Sequence, residues 1–494
     1  MNALIEAVRA GKVNEFSSEV IKVYASSLTQ VGDTTLLMVR TTEGKQLIVV
    51  GSGDLFDQLQ GEVVEGGKVA PLTHANRLVI NQFLPYTAPQ AFGTQVATMG
   101  LGDRLGIASP GHIQTIRGKD IRPVLAQQSI RELALTGRTY EDVLDAAAYA
   151  VLQEGYTDGY GADGDHLKKE ADIEYALRLG FTMLTLDCSE NIDNTIESLS
   201  EAEIAAKYEQ LPASLRNRYE ERYLQTAANV PGATLAYTAE ALKKDVLIYD
   251  AAINFMEAIY RKYIVTLDRA VDFEISIDET ATPTSPEAHY LVANELRDRG
   301  VTIFSMAPRF CGEFQKGIDY IGDIAQFERE LASHAAIAVH FEYKLSIHSG
   351  SDKFSVFPLI GQYTNGLFHI KTAGTNWLEA VRVVAKVNPT LYRRMHQYAL
   401  DHFVEATAYY HVTTDISAIA LLSDVADAQL PDYMEENNAR QLLHITYGLL
   451  LQAKNEDGSR TFADEFFQTL AQQEDTFAEG LRHHIGRHLE LLGK

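Results

Sequence analysis

The sequence predicts an α/β fold: a (β/α)8 TIM-like barrel with a small N-terminal β-rich domain, a helical insertion and a helical C-terminal extension. Two observations predict the barrel. From about residue 100 onward, short β-rich segments alternate with helical ones, and polar residues recur at alternate positions within the strands. Eight such units in succession are typical of a closed barrel. A doubly wound open sheet is the competing interpretation.

Eight segments are candidate barrel strands because they are rich in β-branched and aromatic residues and are separated by helical stretches. They are 121–127, 155–163, 181–187, 272–278, 301–307, 343–349, 366–372 and, as the eighth, 409–414. One intervening helix is expected to begin after Thr139, because Asp142 follows three residues later and can complete an N-terminal cap.

The sequence pattern divides the chain into three units. Residues 1–95 contain β-rich runs punctuated by turn residues and end in a Pro- and Gly-containing linker, 84–95. The predicted catalytic barrel spans 96–430 and carries a helical insertion over 196–270. Residues 431–494 form the predicted helical extension.

Composition restricts the classes of partner. The chain has 494 residues and a formal net charge of −24, and such a surface repels nucleic acid and anionic membranes. It contains no apolar run of about 18 residues and no signal-peptide pattern, and its two cysteines do not form a disulfide framework. We therefore expect a cytoplasmic protein, monomeric or homo-oligomeric, that binds a small molecule.

Alternation along the strands predicts which side chains point into the barrel. The inward-facing polar residues are expected to be Thr185, Asp187, Glu274, Ser276, Asp278, Lys344, Ser346, His348, His369 and Lys371. Catalytic groups lie at the carboxyl ends of the strands in this fold, so the later members of each strand should meet at one mouth.

Two acidic motifs follow candidate strands. GYGADGDHLK brings glycines next to Asp163, Asp165 and His166, and acids and imidazole can bind a metal or carry protons. A surface turn that caps the next helix is the alternative. In SIDETATPTSPE, Asp278 and Glu279 are neighbours that point to different sides, and one could be a general acid or base, although a helix-capping loop also fits.

Three further motifs carry basic residues. IHSGSDKFS holds His348, a candidate ligand or a hydrogen-bonded core histidine, and Lys353, which could bind an anion. His369 and Lys371 share one face of FHIKT, where the lysine could contact substrate, form a Schiff base or pair with an inward acid. Arg309 in APRFCGEFQKGIDY suits a carboxylate, or a loop salt bridge.

These motifs, with GLGDRLGIASPGHI, RPVLAQQSIREL, FTMLTLD, LSIHSGSDKFS and FHIKTAGTNWLEA, resemble the tagaturonate epimerase family over about residues 100 to 415. The resemblance implies an enzyme that interconverts D-tagaturonate and D-fructuronate, ketohexuronates that differ at carbon 4. It also implies a divalent metal.

Inversion at carbon 4 cannot proceed by simple proton abstraction, because the ketone at carbon 2 acidifies the proton on carbon 3. Retro-aldol cleavage between carbons 3 and 4, followed by rotation and recombination, is one route. Transient oxidation at carbon 4 by bound NAD is the other. GLGDRLGIASPGH lacks the dinucleotide spacing and is expected to precede a strand, so the first route is favoured.

With this chemistry, we expect His166, His348 and His369 to bind a divalent cation that acts as a Lewis acid, with Glu279 as a replacement ligand. The sequence does not distinguish Zn, Mn, Co and Ni. The expected catalytic residues, which move protons or stabilise charge, are Asp165, Glu279 and Lys371. The expected substrate-binding residues are Arg309, Lys353 and Asp278.

Other functions fit the same sequence. A metal-dependent aldolase or ketose isomerase acting on a related sugar acid is the main alternative, since it would need the same groups. A non-catalytic barrel that senses sugar acids is a further one, but a binding protein has little need for clustered acid–base residues.

Overall fold

The computed structural model describes residues 1–225 and 228–494. An N-terminal antiparallel sheet is followed by a closed barrel of parallel strands and then by a helical C-terminal region, as the sequence predicts. Within the described ranges, no helix combines the length and apolar character that a membrane span requires.

The N-terminal sheet has the strand order β1-β2-β3-β5-β4 and is covered on both faces. Side chains of β2 alternate between two apolar clusters: Leu37 packs with Ile5, whereas Leu36 packs on the opposite face with Ile80. The elements are α1 (Asn2–Arg9), β1 (Lys22–Val31), β2 (Thr34–Thr41), β3 (Gly44–Gly51), α2 (Asp54–Gln58), β4 (Glu62–Val64), β5 (Gly67–Pro71) and α3 (His74–Phe83).

The remaining strands are β6 (Thr98–Leu101), β7 (Arg122–Ser129), β8 (Gly161–Leu167), β9 (Met183–Asp187), β10 (Ala228–Val230), β11 (Ala233–Leu235), β12 (Asp272–Ile277), β13 (Ser305–Pro308), β14 (Lys344–Ile347) and β15 (Phe368–Thr372). All except the β10–β11 hairpin form the barrel, in the order β12-β13-β14-β15-β6-β7-β8-β9. Every residue of β12 is buried, as expected for a parallel strand that is covered by helices.

Helices surround this barrel and continue beyond it. They are α4 (Ser109–Ile116), α5 (Ile130–Thr136), α6 (Tyr140–Glu154), α7 (Glu170–Leu179), α8 (Glu201–Glu209), α9 (Ala213–Tyr223), α10 (Ala239–Ile259), α11 (Pro286–Asp298), α12 (Ile324–His340), α13 (Phe357–Tyr363), α14 (Thr375–Val387), α15 (Pro389–Asp401), α16 (Phe403–Ala406), α17 (Asn437–Ile445), α18 (Tyr447–Gln452), α19 (Ala463–Gln472) and α20 (Glu474–Leu491). Thr139 caps α6 in a capping box with Asp142, as predicted. The insertion is helical but is interrupted by the β10–β11 hairpin. The unit boundaries at residues 95 and 430 stay predictions.

One strand prediction is displaced, because the strand expected over 155–163 is β8 (Gly161–Leu167) and contains the GADGDHL motif that was expected to follow it. Another strand prediction is wrong. Residues 409–414 contain no strand, and the first barrel strand is instead β6, whose sequence TMGL includes a glycine that weakens the strand pattern. A Cβ at Gly100 would collide with the Oε1 atom of the buried Gln127 side chain on the neighbouring strand, so that side chain would have to move. The glycine-containing loop 102–108 therefore follows a strand, although the sequence suggested that it precedes one.

The predicted linker closes the amino-terminal end of the barrel. The backbone N–H groups of Phe92 and Gly93 donate to the two carboxylate oxygens of Asp272, the first residue of β12, at 2.7 and 2.9 Å. The N–H group of Gln90 donates to the carbonyl oxygen of Tyr160 at 2.8 Å. One buried carboxylate thus fastens the linker to the barrel.

We predict that Asp272→Ala lowers the free energy of unfolding by about 1–3 kcal/mol, because two backbone donors lose their acceptor. Asp272→Asn keeps one acceptor oxygen and should lose less. Urea denaturation of both variants and of Asp475→Ala, which removes an exposed acid, measures the difference. Equal stability of Asp272→Ala and the parent chain would contradict the prediction.

Candidate active site

A cavity of about 520 Å³ opens at the carboxyl end of the barrel strands, where this fold places catalytic groups. The sequence-predicted residues that line it are Asp165, His166, Asp187, Asp278, Glu279, His348 and Lys371. Most of the residues that strand alternation placed at the carboxyl ends of the strands therefore line one cavity.

Lys371 lies at the centre of this mouth. Its Nζ atom is 2.9 Å from Asp163, 2.6 Å from Asp165 and 2.9 Å from Glu274, and it also donates to the Thr185 hydroxyl. Burial alone would lower the pKa of Lys371, but the three carboxylates raise it well above its ordinary value. A lysine held protonated in this way is unsuited to Schiff-base formation, and its charge is already neutralised.

The imidazole rings of His166 and His348 lie in the same cavity as Lys371, and their ring centroids are 4.8 Å apart. Nδ1 of His166 is 2.7 Å from Asp165, and Nε2 of His348 is 2.8 Å from Glu274. If these nitrogens donate to the carboxylates, Nε2 of His166 and Nδ1 of His348 keep their lone pairs. Burial opposes protonation, but Asp278 and Glu274 raise the pKa of His348 to about 10, which shows how strongly this position favours positive charge.

Asp278 completes a group whose ligand atoms, one each from His166, Asp278 and His348, all lie within 4.8 Å of one another. Its Oδ2 atom is 3.1 Å from Nδ1 of His348, close enough for an ion pair. This contact does not form a hydrogen bond, so the buried Nδ1 atom has no hydrogen-bond partner among the described residues. Two imidazoles, each oriented by a second carboxylate, and one carboxylate are a common donor set for divalent transition metals. These residues fit a metal ion.

The backbone around this group is unusual. His166 and Ser349 have φ angles of 54° and 49°, a region that non-glycine residues rarely adopt. The pairing of β8 with β9 shifts between Gly164 and Leu167, so His166 lies in a bulge of the strand. Strained backbone of this kind often occurs where a side chain must be aimed at a functional site.

His369 lies deeper in the barrel than the other two predicted ligands. Its Nδ1 atom is 2.8 Å from Thr98 Oγ1, and its Nε2 atom is 3.9 Å from Glu274. His369 precedes Lys371 by two positions in β15, so it points inward one layer lower. The structure therefore groups Asp278, and not His369, with His166 and His348.

Lys353 does not face the cavity. It is fully buried, and its Nζ atom donates to the carbonyl oxygens of Gln315, Ile318 and Ser351 at 2.8, 2.7 and 2.9 Å. These bonds fasten the loop after β13 to the loop after β14.

Arg309 and Glu279 lie at the rim. Arg309 donates to the carbonyl oxygen of Thr280 and lines an adjoining cavity of about 610 Å³ that shares Asp278, Glu279 and His348 with the first. Glu279 is exposed and lines both cavities. Its carboxylate is therefore accessible to a ligand.

The C-terminal region also reaches the site. His444 of α17 and Tyr410 line the first cavity, and both ring nitrogens of His444 are buried without a hydrogen-bond partner within the described residues. Burial, with nearby Arg104 and Lys316, holds the pKa of His444 well below its ordinary value, so the ring is neutral. No strand pattern or motif marks His444, and Tyr410 lies in the segment 409–414 that was predicted as a strand, so the sequence analysis assigned neither residue to the site.

A second cluster, Asp352, His484 and His488, supports the loop after β14. Asp352 is 2.7 Å from His484 of α20 and 2.8 Å from Arg440 of α17. Nε2 of His488 accepts the backbone N–H of Asp352 at 3.1 Å, so its lone pair is already used. We interpret this cluster as a connection between the C-terminal helices and the loop that follows His348.

Comparisons with known proteins indicate the family to which the chain is similar. A sequence model of a family described as tagaturonate epimerase matches residues 24–492. The chain is 41% identical over 478 residues to the tagaturonate/fructuronate epimerase of Thermotoga maritima, an alignment that covers 95% of this chain and 97% of that protein. It is 64% identical to a glycerol-bound crystal structure of the fructuronate-tagaturonate epimerase of Cohnella laeviribosi, with a TM-score of 0.96 and coverage of 100% and 99%. The native form of that enzyme gives 63% identity and the same TM-score.

We predict that Lys371→Met lowers the free energy of unfolding by about 3–5 kcal/mol, because Asp163, Asp165 and Glu274 lose their shared cation. Without it their pKa values rise above those of the unfolded chain. For such carboxyls, the penalty is absent below the unfolded pKa, grows as the pH rises from the unfolded to the folded pKa, and is complete above the folded pKa. The deficit should therefore be smaller at pH 5 than at pH 8.

Lys244→Met is the control, because Lys244 forms a partly exposed pair with Glu197 at 2.6 Å and should contribute at most about 1 kcal/mol. Denaturant titrations of both variants at the two pH values test the prediction. A deficit for Lys371→Met that matched the control at pH 8 would contradict it.

Proposed function

Because the chain belongs to the tagaturonate epimerase family, we propose that it inverts carbon 4 of a ketohexuronate and so interconverts D-tagaturonate and D-fructuronate. The full-length similarity to the two named epimerases is the main support. The cavity adds chemical support, since carboxylates, imidazoles and an ammonium converge there. Metal-dependent cleavage by an aldolase remains the alternative, because it would use the same groups.

We propose that His166, Asp278 and His348 hold a divalent cation. A cation bound there would supply Lewis-acid polarisation of the ketone and hydroxyl oxygens of the substrate. Asp165 and Glu274 orient the two rings by accepting their other N–H groups. Asp278 replaces His369 in the ligand set that the sequence suggested.

Glu279 is the better placed of the two proposed proton carriers. Asp165 is already shared between His166 and Lys371, whereas the carboxylate of Glu279 is open to the cavity. Glu279 would accept the proton of the carbon-4 hydroxyl as the bond between carbons 3 and 4 breaks. The electron pair of that bond passes to the carbon-2 ketone, which gives an enediolate of carbons 1–3 and an aldehyde of carbons 4–6.

Rotation of the aldehyde presents its opposite face, and bond formation with return of the proton from Glu279 gives the epimer. No atoms or electrons are gained or lost in this sequence. Lys371 acts through the protein: it binds Asp165 and Glu274, and these two carboxylates orient the rings of His166 and His348. This role agrees with its position under the two histidines.

We expect the parent chain to bind about one divalent ion after dialysis against metal-containing buffer. We predict that His348→Ala and Asp278→Ala each retain far less. His369→Asn should keep its metal, because its ring lies a layer below the group. Elemental analysis of the dialysed proteins measures this without reference to activity. Full metal binding by Asp278→Ala, with loss from His369→Asn, would favour the three-histidine set instead.

We further predict that Glu279→Gln lowers kcat by about 10²- to 10⁴-fold, the usual contribution of a general base. Glu201→Gln, which changes an exposed acid on α8, should behave as the parent chain.

Quenching the parent enzyme with a carbonyl-trapping reagent during turnover should yield a three-carbon aldehyde acid. Turnover without any trappable fragment, accompanied by reduction of bound NAD, would support the oxidation route.

A further inference from the structure

Five cationic side chains line the main cavity, and most of them are neutralised or exposed. Lys371 is surrounded by three carboxylates, and Lys168 is 3.4 Å from Asp187. Lys169 is exposed, and so is Arg131, which donates to the Tyr409 carbonyl oxygen at 3.1 Å. The fifth cation is Lys316, on the loop after β13.

Lys316 is half-buried, and no carboxylate within the described residues lies within 4.0 Å of its Nζ atom. Its partner is neutral: Nζ donates to the hydroxyl of Ser349, the residue after His348, at 3.1 Å. Burial lowers the pKa of Lys316; Glu132 and Asp165 act in the opposite direction, and Arg104 and Arg131 lower it further. A partly desolvated ammonium without a counterion gains more from an arriving anion than one that is already paired.

Buried hydrogen bonds hold the backbone of the loop that carries Lys316. Lys353 binds the carbonyl oxygens of Gln315 and Ile318, on either side of Lys316. Gln441 of α17 donates to the side-chain oxygen of Gln315 at 2.9 Å. The position of Lys316 is therefore fixed by buried hydrogen bonds from two separate parts of the chain.

One neighbour of Lys316 could hydrogen-bond to an anion that the ammonium binds. His444 is neutral, lines the cavity and has no protein partner for either ring nitrogen among the described residues. Its ring also lies against Gly317, where a Cβ would come within 3.0 Å of its Nδ1 atom. One ammonium and one unpaired imidazole thus lie in the same part of the cavity.

We propose that Lys316 binds the carboxylate of the substrate and makes the site selective for ketohexuronates over neutral ketohexoses, with His444 hydrogen-bonded to the same end of the molecule. This inference rests on the proposed function. In a ketohexuronate the carboxylate is carbon 6, so it remains on the aldehyde fragment of carbons 4–6 after cleavage. Lys316 then retains that fragment while its aldehyde rotates, which is what an epimerase needs and an aldolase does not.

Lys316→Met tests selectivity. We expect kcat/KM for the ketohexuronate to fall by about 10- to 100-fold, the range of charge-assisted hydrogen bonds, while kcat/KM for the corresponding neutral ketohexose changes by less than about twofold. Lys316→Arg should recover part of the loss, and Lys386→Met, which removes an exposed lysine on α14, should match the parent chain. Equal losses on both substrates would overturn the proposal.

Glycerate and glycerol give a second readout that needs no turnover. Glycerate is the reduced form of the carbon 4–6 fragment, and glycerol differs from it only by the carboxylate. The parent chain should be stabilised against thermal unfolding more by glycerate than by glycerol, and Lys316→Met should remove that difference.

The two proposals can fail separately. A parent chain that prefers glycerate but does not epimerise ketohexuronates would refute the proposed function and leave the carboxylate site standing. A parent chain that epimerises them, with a glycerate preference that survives in Lys316→Met, would overturn the carboxylate site alone.

Discussion

The ammonium of Lys371, surrounded by Asp163, Asp165 and Glu274, is the interaction on which the site depends. Three carboxylates cannot be buried together without a shared cation, because both desolvation and mutual repulsion oppose their charge. Two of these carboxylates also bind the imidazoles of His166 and His348. Each of the two imidazoles that we propose as metal ligands is therefore one hydrogen bond away from a carboxylate that Lys371 binds.

The excess of acid at this mouth also defines what can bind there. Asp278 lies next to His348, and Asp165 lies next to His166. The negative charge of these two carboxylates must be neutralised by protons on the imidazoles or by a metal ion. Since both rings already have a carboxylate on one nitrogen, the remaining nitrogens are oriented before any ligand arrives. Lys316 donates to Ser349 and has no carboxylate within 4.0 Å among the described residues, so one end of the cavity favours a cation and the other an anion.

The sequence predicted those parts of the site that depend on strand alternation. Glu274 and Lys371 follow a period of two in short buried strands, His348 continues that period directly after β14, and the three meet where the period places them. Strand β6 was missed because Gly100 interrupts its pattern, and at that glycine the buried Gln127 side chain comes close to the backbone. His369 shares a face with Lys371, and alternation identifies the face but not the depth in the barrel. His444 reaches the cavity through the packing of α17, which no local pattern encodes.

The arrangement of the two charged ends gives a physical reason why such a site would epimerise. Cleavage between carbons 3 and 4 leaves two fragments, and inversion requires that both stay while one rotates. In our proposal, the enediolate half would lie at the end formed by His166, Asp278 and His348, and the carboxylate half would lie near Lys316. A fragment fastened at a single terminal carboxylate can rotate about the bond to its aldehyde carbon without leaving, whereas a fragment fastened at several points cannot. Loss of that single contact, with the other end intact, would convert retention into release and make an aldolase of the same barrel.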